Sequence, residues 1–140
     1  MNDTTTKMMD MRSQEMQQMP ETSGMDTMMM QECIEACSAM EQACTMCADS
    51  MMGADMSMCR SMCANAADVA SAMMRMMMRP NGMTRDTMMA MLQATTMMAT
   101  MCADECMSMA DMSEECRMCA EVCRQCAMAC QKMMDSMSMA

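Results

Sequence analysis

Along this chain the apolar positions recur three and four residues apart, and cysteine, methionine and alanine hold them. From Met30 the series continues through Cys33, Cys37, Met40, Cys44 and Cys47, the alternation that lines one face of a helix. That run is expected from about Met25 to Asp49, with Ser23 and Asp26 spaced like a capping box and with turn chemistry from Ser50 through Gly53 to Asp55 at its end. A second run carries Met52, Met56, Cys59, Cys63, Ala66, Ala70, Met73 and Met77, and Arg79-Pro80-Asn81-Gly82 stops it. Thr84 is placed to cap a third run of Met88, Met91, Thr95, Met98, Cys102, Cys106 and Met109, whose spacing slips between Cys102 and Cys106 so that its face drifts. After Asp111 and Ser113, with Glu114 and Glu115 suited to a helix N-terminus, the fourth run reads Cys116, Cys119, Cys123, Cys126, Cys130, Met133 and Met137.

Residues 1–24 lack this order. They are polar, end in Pro20, Ser23 and Gly24, and carry Met8, Met9, Met11, Met16 and Met19, which reads as a mobile arm, at most briefly helical before Pro20. Four amphipathic helices of roughly 22 to 26 residues, about 35 Å long at the helical rise and joined by short loops, pack as an antiparallel bundle. The expected fold is therefore all-α: an antiparallel up-down four-helix bundle over residues 25–140, preceded by a flexible or partly helical N-terminal arm over residues 1–24.

Composition changes the picture from a generic bundle to an unusual one. The 140 residues include 38 Met and 13 Cys but no Phe, Tyr or Trp, and the branched aliphatics are Leu92, Ile34, Val69 and Val122. Methionine fills irregular space yet specifies a core poorly, and thiols behave as small hydrophobes, so packing alone does not account for this choice. A formal charge of −10 argues against nucleic acid or an anionic membrane as partner and for a cationic cargo. Histidine is absent, which removes the usual general base and the usual partner of a catalytic cysteine, so an enzyme is not expected. No stretch approaches the roughly 18 uninterrupted apolar residues of a membrane span, and the polar start is not followed by an apolar leader core. A cytoplasmic location is expected on that ground, or a periplasmic one if a leader has been removed.

Alternating topology brings Cys44, Cys47, Cys59, Cys63, Cys102, Cys106, Cys116 and Cys119 to one end of the bundle. Met29, Met30, Met73, Met77, Met88, Met91, Met133 and Met137 go to the other, and Cys33, Cys37, Cys123, Cys126 and Cys130 extend the thiols inward. Soft thiolates and thioethers select soft metals, Cu(I) foremost, and residues at i and i+3 or i+4 are spaced to share an ion. One Cu(I) per thiolate would neutralise a buried thiolate core, which sets the expected load at roughly one ion per Cys, ~13.

The segments CIEAC, CTMC, CRSMC, CADEC and CRMCAEVCRQCAMAC, spread over four helical runs, resemble the four-helix-bundle copper storage proteins across about residues 26–137. The resemblance implies a bundle core filled with multiple Cu(I) ions and assembly as a homotetramer. It implies as ligands the thirteen cysteines Cys33, Cys37, Cys44, Cys47, Cys59, Cys63, Cys102, Cys106, Cys116, Cys119, Cys123, Cys126 and Cys130. The thioethers Met40, Met73, Met77, Met91, Met98, Met109 and Met133 are expected to assist, and a copper chaperone or other copper donor is the expected protein partner. The chain departs from the family pattern in lacking histidine near the bundle mouth and in its excess of methionine.

Other readings fit less well. A disulfide framework sits poorly with an odd thirteen cysteines, many of them neighbours on one helix. A zinc or iron–sulfur site could use Cys44-x-x-Cys47 or Cys116-x-x-Cys119 but would leave nine thiols unused. A redox dithiol at Cys116-x-x-Cys119 would leave eleven. The strongest rival is a sulfur reserve or oxidant sink, which would scatter sulfur over all helix faces; Met46, Met58, Met62, Met76, Met78, Met118 and Met128 lie off the inward stripes and favour it, whereas the ordered cysteine columns favour metal.

Overall fold

Most of the helices begin where a short polar side chain takes up backbone N–H groups that a first helical turn leaves without partners. In the computed structural model, which describes residues 2–51, 53–111 and 113–139, α1 (Asp3–Gln18) starts at Asn2, whose side-chain oxygen accepts from the N–H groups of Thr4 and Thr5 at 2.9 and 3.1 Å. Asp26 does the same for α2 (Thr27–Ser50), accepting from Met28 and Met29 at 2.9 and 3.2 Å. α4 (Arg85–Ser108) opens with a reciprocal box, Thr84 accepting from the N–H of Thr87 at 3.1 Å while Thr87 Oγ1 accepts from the N–H of Thr84 at 2.9 Å. α5 (Glu114–Met139) follows Ser113, which accepts from the N–H of Cys116 at 3.2 Å. No side chain caps α3 (Ser57–Met77); it is entered through Gly53, at a φ of +106° open chiefly to glycine, and a short 3₁₀ turn over Ala54–Met56.

The expected capping pair at Ser23 lies one turn too early. Residues Met19 to Met25 form turns of their own, with the N–H of Thr22 on the carbonyl of Met19 and that of Met25 on Thr22, so Asp26 caps α2 alone. The second run likewise becomes helical only at Ser57, and Met52 lies outside the described residues.

α2 to α5 pack in chain order around a square, each against the next and α5 back against α2, with the α3–α4 seam the sparsest of the four. Direction is shown by the sulfurs that meet: Cys33 lies opposite Cys130, Cys37 opposite Cys126, and Cys47 opposite Cys116. Numbers rise on α2 as they fall on α5, so these neighbours are antiparallel. The fold is thus the expected all-α bundle, with five α-helices and no strand among the described residues.

The N-terminal arm is partly helical, as one of the two expectations had it, and docked instead of mobile. α1 is a sixteen-residue helix with Met9 and Met16 buried, because a spacing of seven, two helical turns, puts both on the same side. It is tied to α2 by Gln31, whose amide donates to Thr6 Oγ1 at 2.8 Å, and by the N–H of Asn2 on the Glu35 carboxylate. At its far end Thr22 donates to the Met16 carbonyl at 2.7 Å, and Glu21 accepts from the N–H of Arg85 at 2.9 Å, which ties the arm to the methionine end of the bundle.

Candidate metal centre

The inward stripe of α2 (Met30, Cys33, Cys37, Met40, Cys44, Cys47) is wholly buried, as is that of α3 from Cys59 to Met77 and that of α5 from Cys116 to Met137. On α4 the drift expected at the spacing slip begins earlier. Met88, Leu92, Thr95, Ala99, Cys102 and Cys106 turn inward, so Leu92 and Ala99 take the places read as those of Met91 and Met98. Thr95 enters this core with its hydroxyl satisfied, donating to the Met91 carbonyl at 2.7 Å.

All thirteen cysteines are buried free thiols. Neighbouring sulfurs approach to 3.5–4.0 Å, as Cys44 does to Cys119 and Cys123 at 3.5 Å and Cys63 to Cys106 at 3.5 Å, well beyond the ~2.05 Å of a disulfide. Three groups stand out in which every sulfur lies within 4.8 Å of every other. They are Cys44, Cys102, Cys119 and Cys123; Cys47, Cys63, Cys106 and Cys119; and Cys37, Cys126 and Cys130. Cys33 continues the column from Cys130 at 3.8 Å, Cys59 joins at Cys106 at 4.0 Å, and Cys116 joins at Cys47 at 3.6 Å.

Protons are shared unevenly along this column. Hydrogen bonds from Cys106, and then from Cys119, Cys123 and Cys44, hold Cys102 well below the ordinary thiol value, while the bond to Cys102 and those to its neighbours push Cys119 far above it. In the third group Cys126, Cys33 and Cys37 hold Cys130 down, and bonds to Cys126 and Cys130 push Cys37 up. Burial raises Cys116 to about 12. Thiolate character therefore gathers on Cys102 and Cys130, with Cys47 lowered as well, while Cys119 and Cys37 hold their protons until a cation replaces them. Such an array of clustered, dry, soft donors has the chemistry of a multi-ion Cu(I) site.

The family model for copper storage proteins (Csp) matches residues 26–135. The chain belongs to the copper storage protein family. It is similar to solved structures of a copper storage protein, Ccsp, from Streptomyces lividans. One is a histidine-to-alanine variant, 39% identical with a TM-score of 0.78, the match covering 81% of this chain and 98% of that one. A second, described as loaded with 10 copper equivalents, is 39% identical with a TM-score of 0.78 over 81% of this chain and 89% of the other. A third, described as a cytosolic copper storage protein with five coppers, is 40% identical with a TM-score of 0.73 over 76% and 92%. No curated protein matches the chain significantly.

As a copper storage protein the chain holds its thiols where the topology puts them. The eight cysteines expected at one end of the bundle do meet there. Among the thioethers, Met40, Met73, Met77 and Met133 are buried in the core, whereas Met91, Met98 and Met109 are half-buried beside it. At the far end Met30, Met88 and Met137 are buried and Met29 is half-buried; the Arg85 guanidinium, donating to the Met137 carbonyl, joins the start of α4 to the end of α5 there. Two features escaped the sequence reading. Met51 Sδ lies 4.0 Å from Cys116 Sγ and continues the three-four alternation after Cys47, a signal masked by placing the helix end at Asp49. Met9 and Met16 carried the seven-residue spacing that marks a docked helix. No helix of the described residues is long and apolar enough to cross a membrane.

Proposed function

We propose that this copper storage protein holds multiple Cu(I) ions on its thirteen cysteines, Cys33, Cys37, Cys44, Cys47, Cys59, Cys63, Cys102, Cys106, Cys116, Cys119, Cys123, Cys126 and Cys130, as a reserve or a sink for excess copper. The observation that carries this reading is the set of three thiol groups, each with its sulfurs mutually within 4.8 Å and buried. Pairs of thiolates that close can share a low-coordinate d10 ion, and each ion bound offsets the charge of one thiolate. Met40, Met73, Met77 and Met133, buried on the same stripes, supplement the thiolates, with Met91, Met98 and Met109 at the margin. Residues 25–140 form the storage domain and residues 1–24 its docked arm. Copper arrives from a chaperone or other donor, the protein works in the cytosol, where thiols stay reduced, and four copies assemble.

Anaerobic titration of the fully reduced chain with Cu(I) against a chromophoric chelator tests this, with a thiol count alongside. Ten or so ions withheld per chain are expected, on the order of one per cysteine. The rival reading, a sulfur reserve or oxidant sink, draws on the exposed thioethers, among them Met11, Met97, Met58 and Met128. Uptake of at most one or two ions by a folded bundle would favour it.

A further inference from the structure

The thiol column is closed along most of its length, but one surface cleft reaches it. A cleft of about 220 Å³ opens on the α3–α4 seam and is lined by Met62 and Asn65 of α3 and by Met98, Met101 and Cys102 of α4. Four larger clefts on the described surface are lined by no cysteine. The seam is sparse here because small residues, Ala66 and Ala70 on α3 and Ala99 and Ala103 on α4, occupy the inward positions, so the gap is left lined by the three methionines with Asn65 and Cys102.

We propose that Cu(I) enters the core sideways, through a thioether site formed by Met62, Met98 and Met101 that delivers the ion to Cys102. The inference rests on the storage reading and adds to it a capture site on the flank of the bundle. Met101 and Met62 each precede an inward cysteine, Cys102 and Cys63, whose sulfurs lie 3.8 Å apart across the same seam, and Met98 stands one turn from Cys102 on α4. Three thioethers make a neutral soft donor set that binds Cu(I) without losing a proton and releases it readily to a thiolate. Cys102 is suited to receive it: it belongs to one four-thiol group and lies 4.0 Å from Cys106 of the other, so an ion arriving there has both within reach. In the transfer the Cu(I)–thioether bonds break, a Cu(I)–Sγ bond forms on Cys102, any proton on that sulfur leaves to solvent through the cleft past Asn65, and the oxidation state of copper does not change.

The test compares loading rates. The full-length reduced chain is mixed anaerobically in a stopped-flow instrument with the Cu(I) complex of bicinchoninate, and loss of the chelate colour is followed to completion. In a Met62→Leu, Met98→Leu and Met101→Leu variant, volume-conserving exchanges that the fold should tolerate, the initial rate is expected to fall about fivefold or more, while the final load falls by no more than about one ion, the marginal share of Met98. An unchanged rate with full final loading overturns the flank site and leaves storage standing; a parent chain that withholds no copper removes both. A Met28→Leu and Met128→Leu control, altering exposed thioethers on α2 and α5, is expected to load at the parental rate. Equal slowing in that control would assign capture to surface methionines at large and overturn the proposal. The three single variants are measured alongside, with helicity checked by circular dichroism; if the triple variant unfolds, slowing in at least one of them supports the site and slowing in none overturns it.

Discussion

From Cys44 to Cys63 and across to their partners on α4 and α5 the bundle interior is built of short thiols, sulfur against sulfur at 3.5–4.0 Å, whereas towards Met30, Met77 and Met133 it is filled by long thioethers. Both halves are dry and both are sulfur, yet they satisfy different requirements. A thioether buries its whole length and gains the transfer free energy of a large apolar side chain, about 1.5–3 kcal/mol, so the methionine half is stable as it stands. A thiol is small, its proton is replaceable, and its neighbours compete for the same hydrogen bonds, so the cysteine half is complete only when cations take the place of protons. The lesson is that one helical periodicity supports both a packed core and a reservoir, with side-chain length and acidity deciding which is which.

The most direct way to break that comparison is to exchange one half at a time. Replacing Cys44, Cys102, Cys119 and Cys123 by alanine is expected to remove about four Cu(I) or more from the capacity, while replacing Met30, Met73, Met77 and Met133 by leucine changes it by less than about one ion; chelator competition reads both. Equal losses would mean that thioethers store as much as thiolates. The stability of the metal-free chain should show the reverse bias. Met77→Ala, which empties a fully buried site, is expected to cost about 2–5 kcal/mol in urea unfolding, and Cys37→Ala about 1 kcal/mol, because far less volume is lost. The remaining test is the response to alkali. A thiol raised in the folded state, as Cys116 is from 9.0 to about 12, binds its proton more tightly there than in the unfolded chain. Its contribution is thus fully present below pH 9 and is lost as pH rises towards 12. Metal-free protein should therefore lose stability progressively above pH 9 in thermal melts, and copper-loaded protein, whose thiols have already given up their protons, should not.

Much of this is legible in the amino-acid sequence. The three-four alternation placed twelve of the thirteen cysteines on regular stripes, and connectivity alone decided which end each would occupy, because a short loop leaves an antiparallel bundle little choice. What could not be read was local. On α4 the slip between Cys102 and Cys106 announced a drift but not that Leu92 and Ala99 would take the inward places, since periodicity fixes a face only to within about a residue and packing against α3 and α5 settles the rest. The start of α2 was misplaced because Ser23 and Asp26 both satisfy capping chemistry, and the choice of Asp26 is made by the turn from Met19 to Met25, whose backbone hydrogen bonds no residue pattern specifies. The docked arm was missed because its polar composition outweighed two well-spaced methionines. Pairing of sulfurs across helices, and so the membership of each thiol group, needed the three-dimensional register.

Cys119 belongs to two of the three thiol groups at once. A donor held in common means that the binding polynomial of the core cannot be factored into independent sites: the statistical weight of an ion in one group depends on whether the other already draws on the same sulfur. Partly filled molecules would then be microstates that exchange ions internally, and a population given half its capacity would spread across many arrangements of the same mean occupancy in place of a single ordered one.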